Sequence, residues 1–274
     1  MAENRINRIF NDLRGRRAKA LMPFVTAGDP DLSATAGLLE AAPRAGASIC
    51  EVGIPFSDPI ADGPVIQASM SRALDAGIRV NQVFDTVATL RPKIDLGLVA
   101  MVSYSIVHRL GIEAFVNQAK DAGFDGFIFP DLPLEESGPA RSAVADAGMI
   151  LSMLIAPTTP IERAERIAAA STGFVYVVSR PGITGARSAL PAELPARLER
   201  LRGVTDLPMA VGFGVSTPEQ VRQVVDVADA AIVGSALVDR VARAQDAVAE
   251  GERMIAELAA GLSPTAEGVS GSAG

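Results

Sequence analysis

Apolar residues recur along the chain in short uninterrupted runs, separated by longer stretches with helical spacing. The runs ALMPFVT (20–26), SICEVGI (48–54), LGLVAMVS (96–103), GFIFP (126–130), ILSMLIA (150–156), FVYVVS (174–179), PMAVGF (208–213) and AAIVG (230–234) read as strands. Their apolar positions are continuous rather than alternating, as expected of parallel strands covered on both faces. Helical spacing appears at 33–45, 80–91, 111–121, 135–147, 160–170, 191–202 and 217–226. Ahead of the first strand, Ile6, Ile9, Phe10 and Leu13 share one helical face and predict a short amphipathic helix. After the second strand the chain reads as a long loop stiffened by Pro55, Pro59 and Pro64.

Eight strand–helix units in 274 residues predict an α/β fold, a single (β/α)8 TIM barrel with an extra N-terminal helix. A doubly wound open sheet is the structural rival, but it usually spreads fewer strands over this length. The barrel is expected over residues 1–250, with 251–274 forming the end of a C-terminal helix and a disordered tail rich in small polar residues. Hydrophobic residues make up 49% of the chain, enough for a large core. A net charge of -7 repels nucleic-acid phosphates and anionic lipid, which argues against a generic role on either. The single cysteine, Cys50, can form neither an internal disulfide nor a metal cluster. With no secretory pattern at the N-terminus and no run of about 18 apolar residues, the expectation is a cytoplasmic protein.

In a barrel of this class the chemistry lies at the C-terminal ends of the strands. Glu51 is a carboxylate inside an otherwise apolar strand. Alternation sets Ile49, Glu51 and Gly53 on one face and Cys50, Val52 and Ile54 on the other. The more apolar set suits the helix layer, so Glu51 is expected to point into the barrel. It is there either as a structural group with a bonded partner or as a proton carrier whose pKa burial has raised. Asp62 follows in SDPIADGP, which is ordinary turn chemistry, or else a loop that aims a carboxylate at the barrel mouth.

VGFGVS at 211–216 and IVGSAL at 232–237 put Gly212, Gly214, Gly234 and Ser235 at the last two strand ends, where this architecture often binds phosphate through backbone N–H groups. SRPGITGARSALP at 179–191 has the composition of a mobile lid, or else is a plain surface loop. Tyr176 alternates with Phe174 and Val178 and is expected to face inwards. Phe24 and Phe213, at strand ends, are either core or a clamp for a flat ligand. His108 is expected in an exposed loop or at a helix start, with no role, and Cys50 is read as packing.

These motifs also resemble a known family. EVGIPFSDPIADGPVIQ at 51–67 is similar to the signature of the tryptophan synthase α subunit family, a highly specific run. The resemblance spans roughly residues 5–245 through PFVTAGDP (23–30), FPDLPLEES (129–137), FVYVVSRPGITGAR (174–187), VGFGVSTPEQV (211–221) and IVGSALV (232–238). It implies retro-aldol cleavage of indole-3-glycerol phosphate to indole and glyceraldehyde 3-phosphate, without a metal or organic cofactor in this chain. By motif, Glu51 matches the general acid/base, Asp62 the group that bonds the indole N–H, and Tyr176 a supporting tyrosine. Thr184 and Gly185 match the lid, Phe24 and Phe213 the indole contacts, and Gly214, Gly234 and Ser235 the phosphate site.

The resemblance further implies an α2β2 complex with a pyridoxal-phosphate-bearing β subunit, facing it through the loops around Pro55, Asp58, Asp131 and Pro133. One departure lies in MVSYSIVHRLG, which has Ser105 and Ile106 where the family usually carries an asparagine, often followed by proline. Two alternatives stand beside the coupled subunit: a stand-alone lyase of the same family and a non-catalytic activator of a β partner.

Overall fold

The structure, a computed structural model, describes residues 3–59, 62–179, 191–212 and 214–263. Among them the apolar runs form β1 (Ala20–Thr26), β2 (Ile49–Gly53), β3 (Gly97–Met101), β4 (Gly126–Ile128), β5 (Ile150–Ser152), β6 (Leu154–Ile155), β7 (Val175–Val178), β8 (Met209–Gly212) and β9 (Ala230–Val233). All their pairings are parallel, in the order β5-β4-β3-β2-β1-β9-β8-β7-β6. The two ends of that order, β5 and β6, are halves of one run, so the sheet curls into a barrel.

The expected eight strands are thus nine segments. The fifth run changes neighbours at Met153, since Ile150–Ser152 pair with β4 and Leu154–Ile155 with β7. Between them the Met153 N–H turns to the Ser171 hydroxyl at 3.3 Å instead of to a strand.

The strands are buried on both faces. Leu21, Val25, Cys50, Val52, Leu98 and Ala100 pack beneath the surrounding helices, while Met22, Phe24, Ile49, Val99, Tyr176 and Ile232 fill the barrel interior. The expected N-terminal helix is Arg5–Gly15, capped by Asn4, whose side chain accepts from the Ile6 N–H. It plugs the end of the barrel where the strands begin. Ile6 and Phe10 are buried there, and the Phe10 ring lies 5.9 Å from that of Phe174. Gly97 permits this approach, because a Cβ at that position would sit 2.7 Å from the Ile6 Cδ1.

One expectation is corrected beyond β2. The stretch read wholly as a loop contains the helix Pro64–Asp75, with Gly63 as N-cap and Pro64 in the first turn. It buries Ile66, Met70 and Ala73 at helical spacing, a periodicity that the neighbouring prolines obscured. His108 sits, exposed, near the end of a short helix, Tyr104–Leu110, rather than at a helix start. After β9 come the helices Ser235–Ala242 and Ala247–Ala259. The latter packs closely on Leu32–Ala41, where Gly37 faces Val248 and Gly251 faces Leu38. Residues 264–274, the expected tail, lie outside the described residues. No helix of the described residues is long and apolar enough to cross a membrane.

Candidate active site

Opposite the N-terminal plug, at the C-terminal ends of the strands, the barrel opens into a narrow, mostly apolar cavity. Phe24, Glu51, Asp62, Tyr176, Gly214, Gly234 and Ser235 all line it.

Glu51 is delivered by the β-strand alternation. In register, Phe24 on β1 stands beside Glu51 on β2 and Glu51 beside Val99 on β3, so all three point inwards. Cys50, one residue back, faces the helix layer, and burial together with the Glu51 charge raises its pKa. Glu51 is 1% exposed, and its Oε1 has no hydrogen-bond partner among the described residues. Burial, and then the nearby Asp62 charge, raise its pKa from 4.5 to about 8. A carboxyl group held for structure would be expected to carry a bonded partner at this oxygen. This one faces an open space instead, with burial favouring its neutral form.

Asp62 combines both readings of its motif. The turn is real: the Asp62 N–H donates to the Pro59 carbonyl at 3.0 Å, and Gly63-Pro64 starts the helix Pro64–Asp75. Gln67 Nε2 donates to the Asp62 carbonyl at 2.8 Å and fixes the backbone. The side chain is nonetheless only 7% exposed, with Oδ2 unpartnered among the described residues. Burial raises its pKa from 3.8 to about 6. The cavity therefore holds two carboxyl groups whose proton affinities are both raised by burial, that of Glu51 the more.

Tyr176 projects from β7 and is buried; burial, then the charges of Glu51 and Asp62, push its pKa well above the ordinary tyrosine value. Its ring lies across Gly212 on β8, where a Cβ would stand 2.4 Å from the phenol oxygen. Gly212, read from sequence as room for an anion, makes room for the Tyr176 ring. Gly53 does the same for Phe24, since a Cβ there would lie 2.4 Å from the Phe24 Cζ.

The other end of the cavity is built from backbone. Gly214 has φ of +87°, a conformation that favours glycine. Gly234 is the N-cap of the helix Ser235–Ala242 and supplies no side-chain cap. A Cβ on Gly234 would meet nothing nearer than Phe24 at 3.6 Å, so glycine is not required there by the protein's own packing. An uncapped helix N-terminus opening on a cavity, flanked by a serine, is suited to a phosphate.

Thr184, Gly185 and Phe213 lie outside the described residues, as does most of the segment read as a lid. Met101, Ile128, Leu154 and Ile232 complete the apolar wall and were not singled out from sequence. They are inward-facing residues at strand ends, but an apolar strand residue that touches a ligand reads the same as one that touches core. The altered segment after β3 is locally self-consistent. Asp131 accepts hydrogen bonds from Ser103 Oγ at 2.6 Å and from the Tyr104 N–H at 2.8 Å, and Ser105 bonds Ser103 at 2.7 Å. Beside the cavity, Pro55, Phe56, Asp58, Ile106 and the half-exposed Leu110 line a surface groove.

Comparison with known proteins points the same way. The family model described as tryptophan synthase alpha chain matches residues 10–267. The chain is 50% identical over 239 residues to the tryptophan synthase alpha chain of Rhodopirellula baltica, covering 86% of each protein. It is 46% identical over 241 residues to that of Gloeobacter violaceus, covering 88% of this chain and 87% of the relative. Among solved structures, tryptophan synthase subunit alpha from Legionella pneumophila superposes with a TM-score of 0.87 at 34% identity, covering 95% of this chain and 99% of the other. A chain of M. tuberculosis tryptophan synthase in its aminoacrylate-bound form does so with a TM-score of 0.86 at 31% identity, covering 96% and 100%.

Proposed function

The chain belongs to the tryptophan synthase alpha chain family, lyases that cleave indole-3-glycerol phosphate, and from that premise we propose how its own residues carry the reaction. The observation that carries the reading is the pair of buried carboxyl groups, each with an oxygen unpartnered among the described residues, in one apolar cavity. They differ in proton affinity, with pKa values of about 8 for Glu51 and about 6 for Asp62.

The substrate's phosphate docks at Gly214, Gly234 and Ser235, against the N-terminus of Ser235–Ala242. Its indole ring lies against Phe24 and the apolar wall. By motif, Thr184, Gly185 and Phe213 are further substrate-binding residues. Glu51, protonated at neutral pH, gives its proton to indole C3. Positive charge develops on the ring nitrogen, and ionised Asp62 stabilises it by accepting the N–H. Glu51, now a carboxylate, removes the proton from the hydroxyl on the carbon attached to C3. The bond between that carbon and C3 breaks, and its electron pair restores the aromatic ring. Indole and glyceraldehyde 3-phosphate leave, and Glu51 is protonated as at the start. Tyr176 closes one side of the cavity around these groups. The remote phosphate supplies binding energy, so the carboxyl groups are free to act on the reacting atoms.

No cofactor enters this scheme. The chain works in the cytoplasm with a β subunit that holds pyridoxal phosphate, in an α2β2 assembly. The loops bearing Pro55, Asp58, Asp131 and Pro133 and the groove of mixed polar and apolar lining beside them form the face for that partner. The test is indole release from indole-3-glycerol phosphate by the purified chain, with and without a β subunit, beside Glu51→Gln. Slow release, raised by β and lost in the variant, is the expected result. Rapid release indifferent to β would mean a stand-alone lyase, and no release in either condition would sink the activity.

A further inference from the structure

The geometry points to Thr26 and Asp29, in the segment that follows Phe24, as positioning residues that set the pose of Asp62 through the helix beginning beside it. This rests on the reading of Asp62 as the acceptor of an indole N–H.

The segment PFVTAGDP has no part in the mechanism above beyond Phe24, yet it grips the helix Pro64–Asp75 at two points. Arg72 donates from Nε to Asp29 Oδ1 at 2.8 Å and from Nη2 to Asp29 Oδ2 at 2.7 Å, a two-pronged pair that fixes orientation as well as distance. One turn earlier, Thr26 Oγ1 and Ser69 Oγ are 2.6 Å apart. Ser69 has one hydroxyl proton and donates it to the Ile66 carbonyl at 2.7 Å, so Thr26 is the donor in the pair. Thr26, Asp29 and Ser69 are all buried, and Arg72 bridges out to solvent. Ser69 and Arg72 are three residues apart and occupy one helical face.

The chain of contacts is short at both ends. Ile66, held by Ser69, itself lines the cavity, and Asp62 immediately precedes the helix N-cap. On the other side, Thr26 closes the strand whose Phe24 stands in register beside Glu51. Glu51 and Asp62 come from different parts of the fold, and no hydrogen bond between them is present among the described residues. Gln67 holds the Asp62 backbone locally, and the struts that join the strand bearing Phe24 to the helix after Asp62 tie that unit to the strand beside Glu51. A carboxylate displaced by roughly 1 Å at such a site loses on the order of 100-fold in effect.

The experiment measures binding of indole and of 1-methylindole to the full chain by calorimetry, with thermal melting alongside. The wild type is expected to prefer indole by about tenfold or more, since only indole can donate to a charged acceptor. In Arg72→Gln the preference should shrink to about twofold while 1-methylindole binds as before, and Arg72→Lys, which keeps one prong, should fall between. Thr26→Val, which removes only a neutral donor, carries the same test if Arg72→Gln does not fold. Equal weakening of both ligands, or an unchanged preference in folded Arg72→Gln and Thr26→Val, would make these contacts merely structural and overturn the inference. A wild type with no preference would remove the underlying role of Asp62, and the inference with it.

Discussion

Glu51 keeps its proton because burial costs a carboxylate far more than it costs the neutral acid, and the Asp62 charge adds repulsion. That has a consequence for stability. Folding raises this pKa from 4.5 to about 8, so between those values the unfolded chain is ionised at Glu51 while the folded one still holds the proton. The unfolded state then binds fewer protons, and stability falls as pH rises through that interval and levels off above it. Asp62 adds a slope of the same sign that ends near its own value of about 6. Glu51→Gln removes the larger slope. Denaturant unfolding should show the variant gaining on the wild type from about pH 5 to about pH 8, by a few kcal/mol at about 1.4 kcal/mol per pKa unit. The same variant should lose roughly 10²–10⁴-fold in indole release, as expected when a proton carrier is removed. A stability difference that does not change with pH would mean that Glu51 is ionised in the folded protein.

Among the elements, the strands carry the side chains and the glycines shape the space between them. Gly212→Ala would drive a methyl into the Tyr176 phenol, 2.4 Å from its oxygen. Steady-state assays should show a fall of roughly tenfold or more in kcat/KM, and Tyr176→Phe should soften that fall by removing the oxygen. Equal activity in Gly212→Ala would show that Tyr176 is not held where catalysis needs it. The inward aim of Glu51 was legible in the sequence, because one charged residue within ICEVG has only one face to occupy other than the helix layer. The break at Met153 was not, because it depends on which neighbours each half of the run meets across the barrel. The helix Pro64–Asp75 was hidden for another reason: Pro64 looks like a loop signal, although proline suits a first helical turn. Gly212 and Gly234 look alike at strand ends, and only packing separates the one that accommodates a side chain from the one left facing the cavity.

At the scale of the molecule the barrel divides its labour between its two ends. The end where the strands begin is closed by Ile6 and Phe10, and the end where they finish holds the carboxyl groups. Phe10→Ala should cost about 3–5 kcal/mol in equilibrium unfolding while leaving kcat of the folded fraction within about twofold of wild type. A large loss of kcat at full folding would mean that the two ends are coupled. Whether a protonated Glu51 starts the reaction is decided by the pH dependence of kcat/KM for indole-3-glycerol phosphate. The alkaline limb decides it, because the substrate's own phosphate titrates near pH 6 and not above. A decline with an apparent pKa near the Glu51 value of about 8 is the expected result. A rate that stays level to about pH 9 would contradict it.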